Sequence, residues 1–202
     1  MRRRRAMAEV VRRGGARGGS ARRRILDAAL KRYYADGIAA TGIDTVTAEA
    51  GVAKMSLYNN FASKAALVEA TLEARHTEWL ALYARRAARA GDPITRVLAV
   101  FDAYADQAAL ATDGFRGCGL LNAAGELPAG HAGRAVVRRH EEEVEGILAA
   151  GLRELTERSR AERLAVHLSL LVEGAMVRSG LRGDRTRLRD ARTIAVDLLT
   201  SL

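Results

Sequence analysis

The stretch from Thr41 to Phe61, TGIDTVTAEAGVAKMSLYNNF, leaves the chain the fewest structural options. Ile43, Val46 and Ala50 recur at steps of three and four, which puts one apolar stripe on a helix that starts after Thr41 or Gly42 and stops at Gly51. A glycine there can take the left-handed conformation that ends a helix without Cβ strain, and Val52 then turns into the core. Leu57 and Phe61 are four apart and face inward with Val52, so a second short helix leaves Lys54, Met55, Ser56, Tyr58, Asn59 and Asn60 outside. That outer face is basic, polar and aromatic, with no carboxylate. Such a helix suits a DNA major groove, where amide, hydroxyl and cationic groups meet base edges and phosphates.

From Arg22 to Leu67 the chain resembles the DNA-binding domain of the TetR family of bacterial transcriptional regulators. The residues that carry the resemblance are ILDAAL in the first helix, Gly37, Thr41, Ile43, Val46, Ala50, Gly51, Val52, Lys54, Leu57, Tyr58, Phe61, Ser63 and Lys64. Two positions depart from it. Gly42 stands where the family often has Thr or Ser, and Ala53 where a Ser commonly caps the recognition helix; losing such a cap typically costs ~1 kcal/mol.

The resemblance implies an all-α protein in three parts. A disordered basic arm over 1–19 precedes a three-helix helix-turn-helix domain over 20–66, and a helical ligand-binding and dimerisation domain spans 67–202. It also implies a homodimer, a palindromic operator in double-stranded DNA, and a small-molecule effector that releases a repressor. Tyr58 and Lys64 match family positions that meet phosphates, Met55 and Asn59 are placed for base edges, and Lys54 can serve either. Thr41, Ser56 and Arg23 complete the expected DNA-contact set.

Charge is informative by position. Residues 1–64 hold fourteen basic and five acidic side chains, whereas 65–202 hold nineteen of each, so the whole net charge of +9 lies at the DNA-binding end. A neutral remainder argues for one polyanion-facing surface rather than a generally sticky protein. Residues 1–19, rich in Arg, Gly and Ala without an apolar period, read as an arm that adds phosphate or minor-groove contacts, or else reflect an untranslated or mis-assigned start with Met7 as the initiator. No apolar segment follows MRRRR as an export signal requires, and no run approaches the ~18 apolar residues of a membrane helix, so a cytoplasmic protein is expected. One cysteine, Cys118, agrees with a reducing compartment.

Along the chain, Ser20 should cap a helix through Asp36, with Ile25, Ala29 and Tyr33 inside and Arg22 to Arg24 in its first turn, where cations oppose the helix dipole unless a phosphate lies nearby. A connecting helix should run from Ser63 to about Ala90, and Asp92 with Pro93 should start another that ends near Ala109. Asp113 to His131 is broken by glycines and a proline. Two amphipathic helices follow, about Arg134–Leu155 and Ala161–Ser179, with Gly174 and Ala175 allowing close approach. By the family resemblance this pair packs against its two-fold mate as a four-helix bundle. A last helix should cover about Thr186–Leu199.

The expected ligand pocket combines Cys118, Asn122 and Glu126, which recur at steps of four, with walls from Phe101, Tyr104, Phe115 and His167. The alternative is that Cys118 is a small buried hydrophobe and that Asn122 and Glu126 cap helix ends. A redox or metal switch at Cys118 would lack a second Cys or a closely spaced His.

Nothing points to catalysis or to a bound metal or cofactor. The four histidines show no HExxH spacing, and no strand precedes Gly117, Gly119 and Gly125 as a dinucleotide fingerprint requires. The rival function is a structural protein that compacts DNA without sequence preference. It would use the basic arm but not a neutral domain of about 135 residues.

Overall fold

The computed structural model describes residues 20–111 and 114–202. Among them are nine α-helices and no strand: α1 Ala21–Asp36, α2 Ile43–Ala50, α3 Lys54–Tyr58, α4 Lys64–Ala87, α5 Pro93–Ala109, α6 Gly119–Glu126, α7 Ala132–Leu152, α8 Arg158–Arg182 and α9 Thr186–Thr200. The expected basic arm, 1–19, lies outside the described residues.

Local chemistry sets most helix ends. Ser20 and Ser63 each accept a backbone N–H three residues on, and Asp92 with Thr95 closes a reciprocal capping box ahead of Pro93. Glu157 caps α8 through both carboxylate oxygens, to the N–H groups of Ser159 and Arg160, which starts that helix three residues before the expected Ala161. Gly183, at φ 70°, ends it three residues after the expected Ser179. α7 likewise sits early: Nδ1 of His131 accepts from the N–H of Gly133 at 3.0 Å, and the chain turns after Leu152 instead of Leu155.

α1, α2 and α3 pack around Ile25, Ala29, Tyr33, Val46, Leu57 and Phe61, all buried. α4 leaves this cluster and lies along α5 and α7, while α8 packs on α7 and α9 and α9 returns to α5. Trp79, Phe101, Leu148, Leu152, Leu168, Met176 and Leu199 fill the second core. Fully burying such side chains contributes about 1.5–3 kcal/mol each. A paired guanidinium and carboxylate, Arg192 and Asp102, ties α9 to α5 at 2.7 Å.

An 18-residue stretch within α8 is long and apolar enough by composition to count as a membrane span. Its inner side, Leu164, Leu168, Val172 and Met176, is buried against neighbouring helices, as in the core helix of a folded domain. The outer side leaves Val166, Leu170, Val177 and Leu181 exposed at helical spacing around Gly174. α9 adds exposed Ile194 and Leu198.

The expected bundle pair is α7 with α8, whereas the exposed apolar surface is distributed differently. The apolar residues of α7, Val136, Val137, Val144 and Leu148, are consumed inside the subunit, so the helices with apolar surface to spare are α8 and α9. Gly174 makes no close approach within the chain. Gly180 does: a Cβ there would collide with the backbone of Gly117 and Arg116.

Candidate functional site

The turn between α2 and α3 explains how the outward helix is held. Gly51 sits at φ 60°, ψ 44°, its N–H donates to the carbonyl of Ala48 and that of Val52 to Thr47, the paired bonds of a left-handed helix stop. Open space surrounds the Gly51 Cα, so its backbone angle, not crowding, calls for glycine. Neither Gly42 nor Ala53 supplies a side-chain cap to the helix it precedes. α3 is anchored by Leu57, fully buried, and by the Nδ2 of Asn60, which donates to the carbonyl of Ser56 at 2.7 Å.

Four of the expected DNA-contact residues stand on one open surface: Lys54, Met55, Tyr58 and Asn59 are exposed, Met55 at 69% and Tyr58 at 45%. Tyr58 is therefore not a core residue. Lys54 pairs with Asp44 at 2.9 Å, which raises its pKa through the hydrogen bond and the adjacent charge. Ser56 is half-buried. Arg23 is exposed at the N-terminal turn of α1 and pairs with Asp27, while Arg22 lies over the Phe61 ring at 5.0 Å.

Two expected contacts face inward instead. Thr41 is buried, and its Oγ1 donates to the carbonyl of Gly37 at 2.6 Å, closing the turn after α1. Lys64 is half-buried and its Nζ donates to the carbonyl of Ile38 at 2.7 Å. Both satisfy carbonyls in the 37–41 turn, a demand set by the fold and not by spacing.

The expected ligand row does not converge. Cys118 is buried at the N-cap position of α6, where burial pushes its thiol pKa up against the opposing pull of the Leu121 and Leu120 N–H groups. Asn122 and Glu126 are exposed and point to protein: Asn122 Nδ2 donates to the carbonyl of Arg116 at 2.8 Å, and Glu126 Oε2 accepts the N–H of Ala39 at 2.8 Å. Phe101 and Tyr104 lie in the solid core. His167 is on the exposed side of α8, beside Leu198 and Leu202, away from the other six.

Of the seven, Phe115 lines a cleft of about 260 Å³ between the two cores. Tyr34 and Lys31 of α1, Arg75 of α4, Gln107 and Leu110 at the end of α5, and Arg116 surround it. Its walls are tied across the junction. Tyr34 Oη accepts the N–H of Arg116 at 2.7 Å and donates to the carbonyl of Gly117 at 3.2 Å, and Arg116 Nη1 donates to the carbonyls of Tyr34 and Ala35. Arg75 donates to the carbonyl of Leu30 and lies 5.0 Å over the Tyr34 ring.

A second polar feature escaped sequence reasoning. His76 of α4 and His140 of α7 meet Nδ1 to Nδ1 at 3.0 Å, His140 Nε2 is 3.1 Å from Tyr104 Oη, and His76 Nε2 is 3.2 Å from Glu143. One proton arrangement satisfies every contact: Tyr104 donates to His140, His140 to His76, and His76 to Glu143. Burial, reinforced by His76, pulls the His140 pKa down to about 4. The only sequence signal was that each His falls at an apolar position of its helix.

Comparison with known proteins follows the same division. The family model for bacterial regulatory proteins of the tetR family matches residues 25–71. No curated protein matches. Among solved structures, a TetR transcriptional regulator from Streptomyces avermitilis is 30% identical, with 90% of this chain and 99% of that one covered at a TM-score of 0.74. A TetR-family transcriptional regulator from Streptomyces coelicolor is 28% identical over 88% and 95%, with a TM-score of 0.78. A third, from Chloroflexus aurantiacus, shares the fold at 23% identity, 89% and 94% coverage and a TM-score of 0.78. These are transcription regulators, not enzymes. With the helix-turn-helix, the second helical core and near-complete coverage in agreement, the chain belongs to the TetR family of bacterial DNA-binding transcriptional regulators.

Proposed function

We propose that this protein is a homodimeric, effector-responsive repressor that grips a palindromic operator and lets go when a small molecule binds. The observation that carries the reading is the open face of α3. Lys54, Met55, Tyr58 and Asn59 project together from a buried anchor, in the segment that holds all of the net charge. Each subunit would lay α3 in the major groove of one half-site, Met55 and Asn59 toward base edges and Tyr58 toward phosphate. Thr41 and Lys64 would act behind this face by holding the 37–41 turn.

The exposed apolar stripe on α8 and α9 supports pairing with a second copy, and a repressor of this kind would work in the cytoplasm. In the dimer the distance between the two α3 helices sets operator fit. An effector that favours one dimer shape needs a coupling of only about 1–3 kcal/mol.

The test is a gel shift with a short palindromic fragment from the DNA upstream of the gene. A specific regulator should shift it at concentrations about 10³-fold below those needed for scrambled DNA. Equal affinity for both would favour the DNA-compacting alternative. In sedimentation, Leu170→Glu with Leu181→Glu should give monomers; an unchanged dimer would move the interface elsewhere.

A further inference from the structure

The junction cleft holds more chemistry than a gap between two cores needs. Three cations line it, Lys31, Arg75 and Arg116, against one carboxylate, Glu78. Leu110, Ala111 and Phe115 give it an apolar wall. Gln107, also in the lining, has a buried Oε1 without a hydrogen-bond partner among the described residues. Taking about 30 Å³ per water in the liquid, a volume of about 260 Å³ is the room of roughly nine waters, enough for a small aromatic acid.

Arg116 occupies a position with a cost attached. The carbonyls it holds, those of Tyr34 and Ala35, belong to the last turn of α1, which has no further N–H of its own to bond them and carries the negative end of the helix dipole. α1 has no basic residue in that turn. Its C-terminus is therefore served by a guanidinium lent from the regulatory domain. A carboxylate in the cleft would offer the same guanidinium a full opposite charge and two coplanar acceptor oxygens, which a neutral peptide carbonyl lacks.

We infer that the cleft binds a small organic carboxylate with an apolar body and one hydrogen-bond donor, and that this carboxylate competes with the C-terminal carbonyls of α1 for Arg116. The anion draws on Arg116 and Arg75, the apolar body lies on Phe115 and Leu110, and the donor meets Gln107 Oε1. Losing Arg116 frees the end of α1 from the regulatory domain, so the helix-turn-helix unit can shift. This rests on the effector-responsive reading above, and it adds the class of effector and the contact that breaks.

Benzoate, benzamide and benzamidine each have nine non-hydrogen atoms and differ in charge, so titrating the full-length protein with all three by calorimetry separates charge from shape. Benzoate should bind about tenfold or more tighter than benzamide, with benzamidine weakest. Arg116→Gln should remove most of that preference and leave only the part that Arg75 supplies, Arg116→Lys should keep it, and Ala111→Trp should block all three. 3-Hydroxybenzoate or 4-hydroxybenzoate should gain over benzoate in the wild type and not in Gln107→Leu.

With benzoate saturating, operator affinity should fall about tenfold in the wild type and stay level in Arg116→Gln. Benzamide binding as tightly as benzoate, or a benzoate preference undiminished in Arg116→Gln, would overturn the assignment. Unchanged operator affinity with benzoate bound would overturn the competition for Arg116. If the free protein prefers benzoate yet binds no palindrome, the repressor reading fails while the cleft assignment stands.

Discussion

The α2–α3 turn and the junction at the far end of α1 solve the same problem with different means. Both must hold a short helix at a fixed angle and satisfy its end. In the α2–α3 unit the partners are nearer in sequence: Gly51 bonds Ala48, Val52 bonds Thr47, Asn60 bonds Ser56, Lys54 pairs with Asp44, and Glu49 reaches back only 17 and 18 residues to Arg32 and Lys31. At the junction the partners are remote, with Tyr34 on Arg116 and Ala39 on Glu126, 82 and 87 residues apart. A locally closed motif keeps its shape whatever the regulatory domain does. A junction made of long-range bonds can be opened from one side, which is where the proposed effector would act.

Substitutions at two glycines test that contrast most severely. Gly180→Ala places a Cβ against the backbone of Arg116 and Gly117, which cannot yield as a flexible side chain would, and should cost about 3 kcal/mol in urea unfolding. Gly51→Ala only forces a left-handed backbone on a residue with a Cβ, about 1–2 kcal/mol. Equal losses would mean that the segment before α6 gives way easily, and the two regions would then not differ in rigidity.

The His76–His140 contact probes the connecting helix between the two regions. In the folded chain His140 stays neutral down to about pH 4, while the unfolded chain takes up a proton near 6.5. Stability should therefore be fully present above about pH 6.5 and fall by about 2 kcal/mol or more as the pH drops toward 4. His140→Phe should flatten this dependence in urea unfolding at several pH values. A wild-type curve that is already flat would show that the histidine pair carries no such penalty.

Smaller effects should sort the recognition face from the junction. Asn59→Ala should relax the choice of base at one operator position by about 1–3 kcal/mol, while Tyr58→Phe should weaken all operators alike by about 1 kcal/mol. If Tyr58→Phe leaves operator affinity unchanged at several salt concentrations, its phosphate role is wrong. Glu126→Ala removes one exposed bond to the Ala39 N–H and should cost about 1 kcal/mol or less in stability, yet it should alter how effector and operator influence each other. An unaltered coupling would take Glu126 out of the link.

Legibility follows the same line. The limits of α1, α2, α5 and α9 were readable because caps and stops such as Ser20, Gly51, Asp92 and Pro93 act within a turn of the chain. The Glu157 cap was missed because a carboxylate there looks no different from any solvated surface charge. The pocket row failed at Asn122 and Glu126 because a step of four shows only that side chains share a helix face, not what that face meets. His167 was misplaced for the same reason: its position on α8 gives a direction relative to Leu168, and only the packing of α7 and α9 decides which direction is outside.

By itself the amino-acid sequence determined the helical class, the helix-turn-helix and the concentration of charge at one end, since these rest on short-range periodicity, caps and composition. The tertiary structure alone decided that Thr41 and Lys64 serve the turn behind the recognition helix, that two histidines 64 residues apart share a hydrogen bond, and that a cleft lies beside Arg116. The physical reason is that a buried polar group must find a partner wherever the fold brings one. That partner depends on how whole helices pack, and residue spacing within one helix carries no record of it.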